Sequence, residues 1–167
     1  WDMWGAEALN YINGMFAFAI WDKLKKELTL VRDPFGKKPL LYSINNKEIT
    51  FASDLNSLEK IIDNNQINPL AVESLFKLRF VHDPLTIYEN VYKLLPGHII
   101  TFSDKGVKNI RWYNLLNYSQ EEVNHPVITN NIRNYFDAAV KRRLVSDVDI
   151  GVFLSGGLDS SLIVASI

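Results

Sequence analysis

The chain has 167 residues, of which 47% are hydrophobic and 22% charged, and its formal net charge is −1. This composition is typical of a globular protein and argues against disorder. The balance of 18 basic against 19 acidic residues leaves no excess positive charge for nucleic acid or an anionic membrane. Because the chain has no cysteine, disulfides, thiolate metal sites and a cysteine nucleophile are excluded within it.

The ends of the chain and its longest uncharged run bear on its location. That run, residues 8–21, has 14 residues, whereas a helix that spans a bilayer needs about 20. No signal peptide opens the chain, so we expect a cytoplasmic protein. The chain starts at Trp1 and stops at Ile167 inside an apolar run, and we therefore expect it to be a fragment of a longer protein.

The first half is predicted to form short strands with turns and two helices between them. Apolar or alternating runs predict strands at 15–21, 27–32, 40–44, 49–52, 98–102 and 111–113. Asp33-Pro34-Phe35-Gly36 has the residues of a type I turn, in which the Asp side chain bonds back to the turn amides. Helices are predicted over 54–62 and after Asn68-Pro69.

The second half changes period after a polar stretch that predicts a linker. Apolar residues then recur at helical spacing, at Ile128, Ile132, Phe136, Ala139, Val140 and Leu144. The apolar run 150–154 predicts a buried parallel strand. A Ser/Gly loop and an apolar helix follow it. Helix, buried strand, glycine loop and helix are typical of the start of an α/β nucleotide-binding domain.

The glycine loop predicts an anion site. Gly156 and Gly157 let the backbone turn sharply, and amides at a helix N-terminus attract anions. Ser155, Ser160 and Ser161 add hydroxyl donors. Asp159 would repel phosphate, so it either accepts the loop's own amides or holds a Mg²⁺ that bridges phosphates. The Gly-x-x-x-x-Gly-Lys-Ser/Thr pattern of P-loop NTPases is absent.

This loop resembles that of a known enzyme class. The string Leu154-Ser155-Gly156-Gly157-Leu158-Asp159-Ser160-Ser161 is similar to the pyrophosphate loop (PP-loop) of ATP pyrophosphatases, which adenylate a substrate and release pyrophosphate. The resemblance implies that these residues bind the β- and γ-phosphates of ATP. It places Leu154 near the nucleotide and makes Asp159 the contact to Mg²⁺. Many ligases share the loop, so by itself it implies only an adenylating enzyme.

The preceding segments resemble a class II glutamine amidotransferase domain. They include Asn13-Gly14-Met15-Phe16-Ala17-Phe18, Arg32-Asp33-Pro34-Phe35-Gly36, Phe51-Ala52-Ser53-Asp54 and Leu95-Pro96-Gly97-His98. Residues 147–151, before the loop, resemble the lead-in of asparagine synthetases of the B type. In this order, the segments resemble the glutamine-hydrolysing asparagine synthetase family over essentially the whole chain.

The resemblance implies a fold that is α+β at first and α/β at the end. Residues 1–118 are expected to form part of an Ntn-type glutaminase sandwich, and 119–126 a linker. Residues 127–167 are expected to supply the first helix, strand, loop and helix of an adenine-nucleotide α-hydrolase-like (PP-loop) synthetase domain. The nucleophilic Cys of the family is expected upstream of Trp1, so we expect the chain by itself to be inactive.

The function implied is synthesis of asparagine from aspartate, with ammonia from glutamine and cleavage of ATP to AMP and pyrophosphate. The cofactors implied are ATP and Mg²⁺. The partners implied are the small molecules ATP, aspartate and glutamine, without nucleic acid or membrane, and a homodimer is compatible with the family. Two alternatives stay open: a related amidotransferase that acts on a sugar, a peptide or an antibiotic precursor, and a degenerate, non-catalytic homologue.

Three further features have a structural interpretation. Arg32 and Asp33 are expected to stabilise their turn through a local salt bridge. Asp54 stands where the family usually has Glu, and the shorter carboxylate is expected to weaken a contact with a buried partner. The three histidines, at 82, 98 and 125, have no ligand-like spacing and are assigned to neither metal binding nor acid–base chemistry.

Overall fold

The computed structural model describes residues 1–45, 47–62, 66–117 and 125–167. Contacts divide the chain into two units, Trp1–Asn117 and Tyr118–Ile167. Most of the linker predicted at 119–126 lies outside the described residues, and the domain limits around it stay predictions. Within the described ranges, no helix is both long enough and apolar enough to cross a membrane.

The first unit has a mixed α and β structure built on two antiparallel sheets. Its strands are β1 (Ala17–Asp22), β2 (Glu27–Arg32), β3 (Leu41–Asn45), β4 (Glu48–Ala52), β5 (Val91–Lys93), β6 (His98–Ser103) and β7 (Gly106–Arg111). The four-stranded sheet has the order β1-β2-β6-β7, and the three-stranded sheet has the order β4-β3-β5. The expected α+β class is confirmed for this unit.

Apolar clusters cover both faces of the four-stranded sheet. Successive residues of a strand point to opposite faces. Leu30 of β2 and its partner Ile100 of β6 therefore join one cluster, against which side chains of β3 and β4 pack. The adjacent pair Val31 and Ile99 packs on the other face with Leu9, from a 3-10 helix. Because both faces are covered, the last four residues of β2 are all buried instead of alternating as predicted.

The two helices predicted in the first unit are present as α1 (Leu55–Glu59) and α2 (Pro69–Leu78). The Asp54 carboxylate caps α1 by accepting the Ser57 amide at 2.9 Å and the Ser57 hydroxyl at 2.7 Å. Asn68 caps α2 by accepting the Leu70 amide at 3.0 Å. Asp54 is exposed, and among the described residues its carboxylate does not make the expected contact with a buried partner.

The strand prediction at the end of this unit is wrong in position. The structure places β7 at Gly106–Arg111 and leaves residues 112–113 outside it. β7 pairs with β6 across a tight turn, Asp104-Lys105, in the register Ser103↔Gly106. All six residues of β7 are exposed, and an exposed edge strand carries no apolar alternation from which to predict it. The short strand β5 was also missed.

The second unit consists, in its described part, of α3 (His125–Arg142), α4 (Leu158–Ala165) and the segment between them. Both helices agree with the prediction, and the Ser166 hydroxyl joins them by donating to Asp137 Oδ1 at 2.8 Å. The buried parallel strand predicted at 150–154 is not formed among the described residues. These residues belong to no strand, and Phe153 is 99% exposed. A parallel strand bonds only to neighbouring strands, and the described part of this unit contains none.

Candidate functional site

The glycine loop forms a sharp turn that ends at the N-terminus of α4. Gly156 has φ +79°, a conformation that side chains with a Cβ rarely adopt. Gly157 is the N-cap residue, and no side chain caps the helix, in contrast to α1 and α2. The first amides of a helix have no partner within it. The loop therefore presents backbone donors and the positive end of the helix dipole at one place.

Two of the three predicted hydroxyls lie in the first turn of α4 and bond back to the loop. Ser160 Oγ and Ser161 Oγ donate to the Gly157 carbonyl oxygen at 3.0 and 2.8 Å, and the Ser161 amide donates to the same oxygen at 3.1 Å. Ser155 Oγ lies 3.2 Å from Ser160 Oγ. The structure thus brings the predicted serines together, but the hydroxyls of Ser160 and Ser161 donate to the backbone at the start of α4 and are not free donors.

The remaining predicted site residues line the exposed side of the loop. Leu154 and Leu158 are 61% and 75% exposed. Asp159 is exposed in the first turn of α4, and its carboxylate makes no hydrogen bond or ion pair with any residue that the structure describes. Of the two roles that the sequence left open for Asp159, bonding to the loop's own amides is therefore not observed.

The donor chemistry at Asp159 fits Mg²⁺, the metal implied by the family resemblance. Mg²⁺ prefers oxygen ligands and is usually bound through one or two carboxylates together with substrate phosphates. An exposed carboxylate beside uncapped amides would supply the protein's part of such a site. Within the described residues, no three His, Cys, Asp or Glu side chains cluster as metal ligands. Binding would then depend on phosphate oxygens.

Asp33 is a second polar centre, located in the first unit and 1% exposed. Its Oδ1 accepts the amides of Phe35 and Lys37, both at 3.0 Å, and its Oδ2 accepts the amide of Lys38 at 2.9 Å. Burial by itself would raise the pKa of Asp33, but these amide donors, together with the Phe16 amide, outweigh it and hold the pKa below its usual value. The β-turn predicted here is confirmed by the bond from the Gly36 amide to the Asp33 carbonyl oxygen, at 3.1 Å, and Phe35 lacks the positive φ of a type II turn.

Arg32 stabilises the same turn from its other side. Its guanidinium donates to the carbonyl oxygens of Lys38 and Gly36, each at 2.9 Å, and to that of Leu94. Its ionic partner is Asp83, at 3.7 Å, which also pairs with Lys93 at 2.9 Å. The predicted local salt bridge between Arg32 and Asp33 is therefore wrong. Asp83 is 51 positions away, too far for a turn motif to indicate it.

Comparison with known proteins gives a match in each half of the chain. Residues 1–113 match the family model of the glutamine amidotransferase domain, and residues 131–167 match that of asparagine synthase. The second match contains the whole glycine loop, and the first contains Asp33 and the turn that it stabilises.

Similar proteins come from bacteria, archaea and fungi. "Asparagine synthetase [glutamine-hydrolyzing] 1" of Bacillus subtilis is 35% identical over 95% of this chain and 25% of its own length. "Putative asparagine synthetase [glutamine-hydrolyzing] 2" of Methanocaldococcus jannaschii is 35% identical over 96% of this chain and 32% of its own length. "Amidase chry2" of Gibberella zeae is 30% identical over 95% of this chain and 24% of its own length.

The chain thus spans between 24% and 32% of the length of these three relatives. Its two matched segments follow one another in the order expected from the resemblance, with the amidotransferase segment first. The chain belongs to the family of the glutamine amidotransferase domain, whose model covers more than half of its length.

Proposed function

We propose that the protein to which this chain belongs makes asparagine from aspartate, glutamine, ATP and water, and releases glutamate, AMP and pyrophosphate. The proposal rests on the order of two segments in one chain. An amidotransferase segment comes first, and an asparagine synthase segment that contains the loop 154–161 follows it. The two segments correspond to two half-reactions: release of ammonia from glutamine, and activation of a carboxylate by ATP.

The loop would act in the activation of aspartate by ATP. The β-carboxylate of aspartate attacks the α-phosphorus of ATP, and pyrophosphate leaves. The uncapped amides at Gly157 and Leu158 would bind the departing phosphates, and Gly156 allows the backbone to approach them closely. Asp159 would hold Mg²⁺, which when bound neutralises phosphate charge. Ammonia then attacks the β-aspartyl-AMP carbonyl carbon, and AMP leaves.

The chain does not carry the group that hydrolyses glutamine in this proposal. It has no cysteine, and a thiol nucleophile would come from the part of the protein before Trp1. The chain alone is therefore proposed to be inactive in both half-reactions, and each functional test below uses the full-length protein.

The nucleotide product tests the proposal. Full-length protein incubated with ATP, Mg²⁺, aspartate and glutamine should form AMP and pyrophosphate, with asparagine, and the nucleotides can be separated by chromatography. Aspartate-dependent formation of ADP would contradict the proposal, because a loop of this type would then not act at the α-phosphorus.

The Asp159→Ala substitution tests the division of labour between the two segments. We expect asparagine formation to fall by at least about a hundredfold, as when a group that stabilises transition-state charge is removed. Glutamine hydrolysis should keep most of its rate. The matched control is Asp104→Ala, which removes an exposed carboxylate from the β6–β7 turn of the first unit. Equal loss of both activities in Asp159→Ala would contradict the assignment.

A second candidate is an amidotransferase of the same architecture with another acceptor, such as a sugar, a peptide or an antibiotic precursor. The similarity to a protein named an amidase supports keeping it. The two candidates differ in which compound triggers pyrophosphate release. Release that depends on aspartate favours asparagine synthesis, and release that ignores aspartate but responds to another acceptor favours the second candidate.

A further inference from the structure

Asn13-Gly14 is the one Asn-Gly dipeptide in the sequence. It lies between the 3-10 helix Gly5–Tyr11 and β1, and both of its residues are exposed. Neither the Asn13 side chain nor the Gly14 amide has a hydrogen-bond partner within the part of the chain that the structure describes. The fold therefore does not restrain either of the two groups that can react with each other here.

The glycine is not required by the local conformation. Gly14 lacks the positive φ that favours glycine, and a Cβ built on it would meet nothing within 4 Å. Gly36, by contrast, has φ +63°, and its Cβ would lie 2.7 Å from Pro96. An alanine can therefore replace Gly14 without strain, which separates the chemical effect of the glycine from any structural one.

We propose that Asn13 is a site of spontaneous deamidation, which converts this residue to aspartate and isoaspartate in the folded protein. The backbone nitrogen of Gly14 loses its proton and attacks the Asn13 side-chain carbonyl carbon, so that a C–N bond forms and ammonia leaves. Water then opens the resulting succinimide ring at either carbonyl group. The absence of a Cβ on Gly14 leaves the approach of its nitrogen unobstructed.

The modification changes the charge and the backbone next to the core. Each event replaces a neutral amide with a carboxylate, which changes the formal net charge from −1 to −2. The isoaspartate product also inserts a methylene into the main chain three residues before Phe16. The Phe16 carbonyl oxygen accepts the Asp33 amide at 2.9 Å, and the Phe16 ring packs with Leu9 and Val31. The change therefore lies close to the contacts by which the 3-10 helix packs against the sheet.

The test is peptide mapping by mass spectrometry of the purified protein during storage in mildly alkaline buffer. We expect the peptide with Asn13 to gain the mass of an amide-to-acid exchange several-fold faster than the peptide with Asn56-Ser57, which lies in α1. The rate should rise with pH, because the attacking nitrogen must be deprotonated. Gly14→Ala should remove most of this rate and leave the rate at Asn56 unchanged.

Two results would overturn the proposal. One is a rate at Asn13 in the folded protein no greater than at Asn56, while a short peptide of residues 11–16 deamidates fast, since the fold would then protect the site. The other is an unchanged rate in Gly14→Ala. If Gly14→Ala folds poorly, the deamidation rate of Asn13 in the folded protein can still be compared with that in the short peptide. This comparison tests the proposal without any substitution.

Discussion

The two units of this chain differ in how their apolar residues are used. In the first unit, Leu30 and Ile100 are at most 1% exposed and lie in a cluster between two sheets. In the described part of the second unit, Val140 is the one buried apolar side chain, and Phe153 and Leu158 are 99% and 75% exposed. The chain is apolar in both regions, so composition alone does not decide burial. What differs is whether partner strands are present.

The same contrast explains which elements of the second unit form. A helix bonds to itself, so α3 and α4 follow from local sequence. A strand bonds only to other strands, and the run 150–154 has none beside it among the described residues. Helical periodicity is thus a safer local prediction than a buried strand, whose formation depends on distant residues.

Hydrogen exchange on the chain of residues 1–167 is expected to give the largest difference between the units. β2 lies between β1 and β6, so its amides face neighbouring strands and should exchange only through unfolding, at about 5 kcal/mol or more. The amides of Val152, Phe153 and Leu154 should exchange at a free energy close to zero. Strong protection of these three amides without ligand would show that the run 150–154 is hydrogen-bonded, and would contradict the contrast between the two units.

A matched pair of truncations measures the same contrast as stability. Leu30→Ala should destabilise the protein by about 2–5 kcal/mol, because it leaves a cavity between the sheets. Phe153→Ala removes a larger side chain but should change stability by less than about 0.5 kcal/mol, since that side chain is exposed. The urea midpoints of the two variants provide the test. A cost for Phe153→Ala as large as that for Leu30→Ala would show that residue 153 is packed.

The stability of the first unit should depend on pH because of Asp33. Its pKa is lowered in the folded state, so its contribution to stability is present above the unfolded value of about 3.9 and is lost as the pH falls through the folded pKa. Asp33→Asn should cost about 1–3 kcal/mol at neutral pH, because a side-chain amide has one acceptor oxygen and three backbone amides need acceptors.

Urea unfolding of the Asp33→Asn variant and the unsubstituted protein at neutral and acid pH provides this measurement. The difference between the two should shrink in acid, where the carboxylate of the unsubstituted protein becomes protonated. A difference that stays constant with pH would mean that the charge of Asp33 is not what stabilises the turn.

Loss of a helix cap should cost less stability than loss of the Asp33 carboxylate. Asp54→Ala should destabilise the first unit by about 1 kcal/mol, because the Ser57 amide loses its acceptor. Asp54→Ser, which keeps a capping oxygen, should restore most of that loss. The comparison with α4 is informative, since Gly157 supplies no side-chain cap there. Equal stability of the Ala and Ser variants would show that capping does not stabilise α1.

Much of the first unit could be predicted because its signals are local. The turn Asp33-Pro34-Phe35-Gly36, the two helices and five of the strands follow from short patterns. The missed elements are the ones without such a pattern. β7 is exposed on all of its residues, and β5 has only three residues.

At the candidate site, too, the local features could be predicted from the sequence and the contacts between side chains and backbone could not. The sequence identified Ser155 through Ser161 as one loop ahead of a helix, because two adjacent glycines and a following apolar run are local features. It did not predict that Ser160 and Ser161 donate to the Gly157 carbonyl, or that Asp159 stands without a partner in the described part of the chain. Those facts depend on how the turn closes.

The sequence by itself indicated the helices and the position of the glycine loop, since each depends on residues within a few positions of one another, and the order of its short motifs indicated the family resemblance. Only the tertiary structure decided that β2 is buried on both faces, that Arg32 pairs with Asp83 rather than Asp33, and that the run 150–154 is not a strand. The physical reason is common to all three. Burial, ion pairing and strand formation need partners that lie far apart in the chain, and only the fold determines whether they meet.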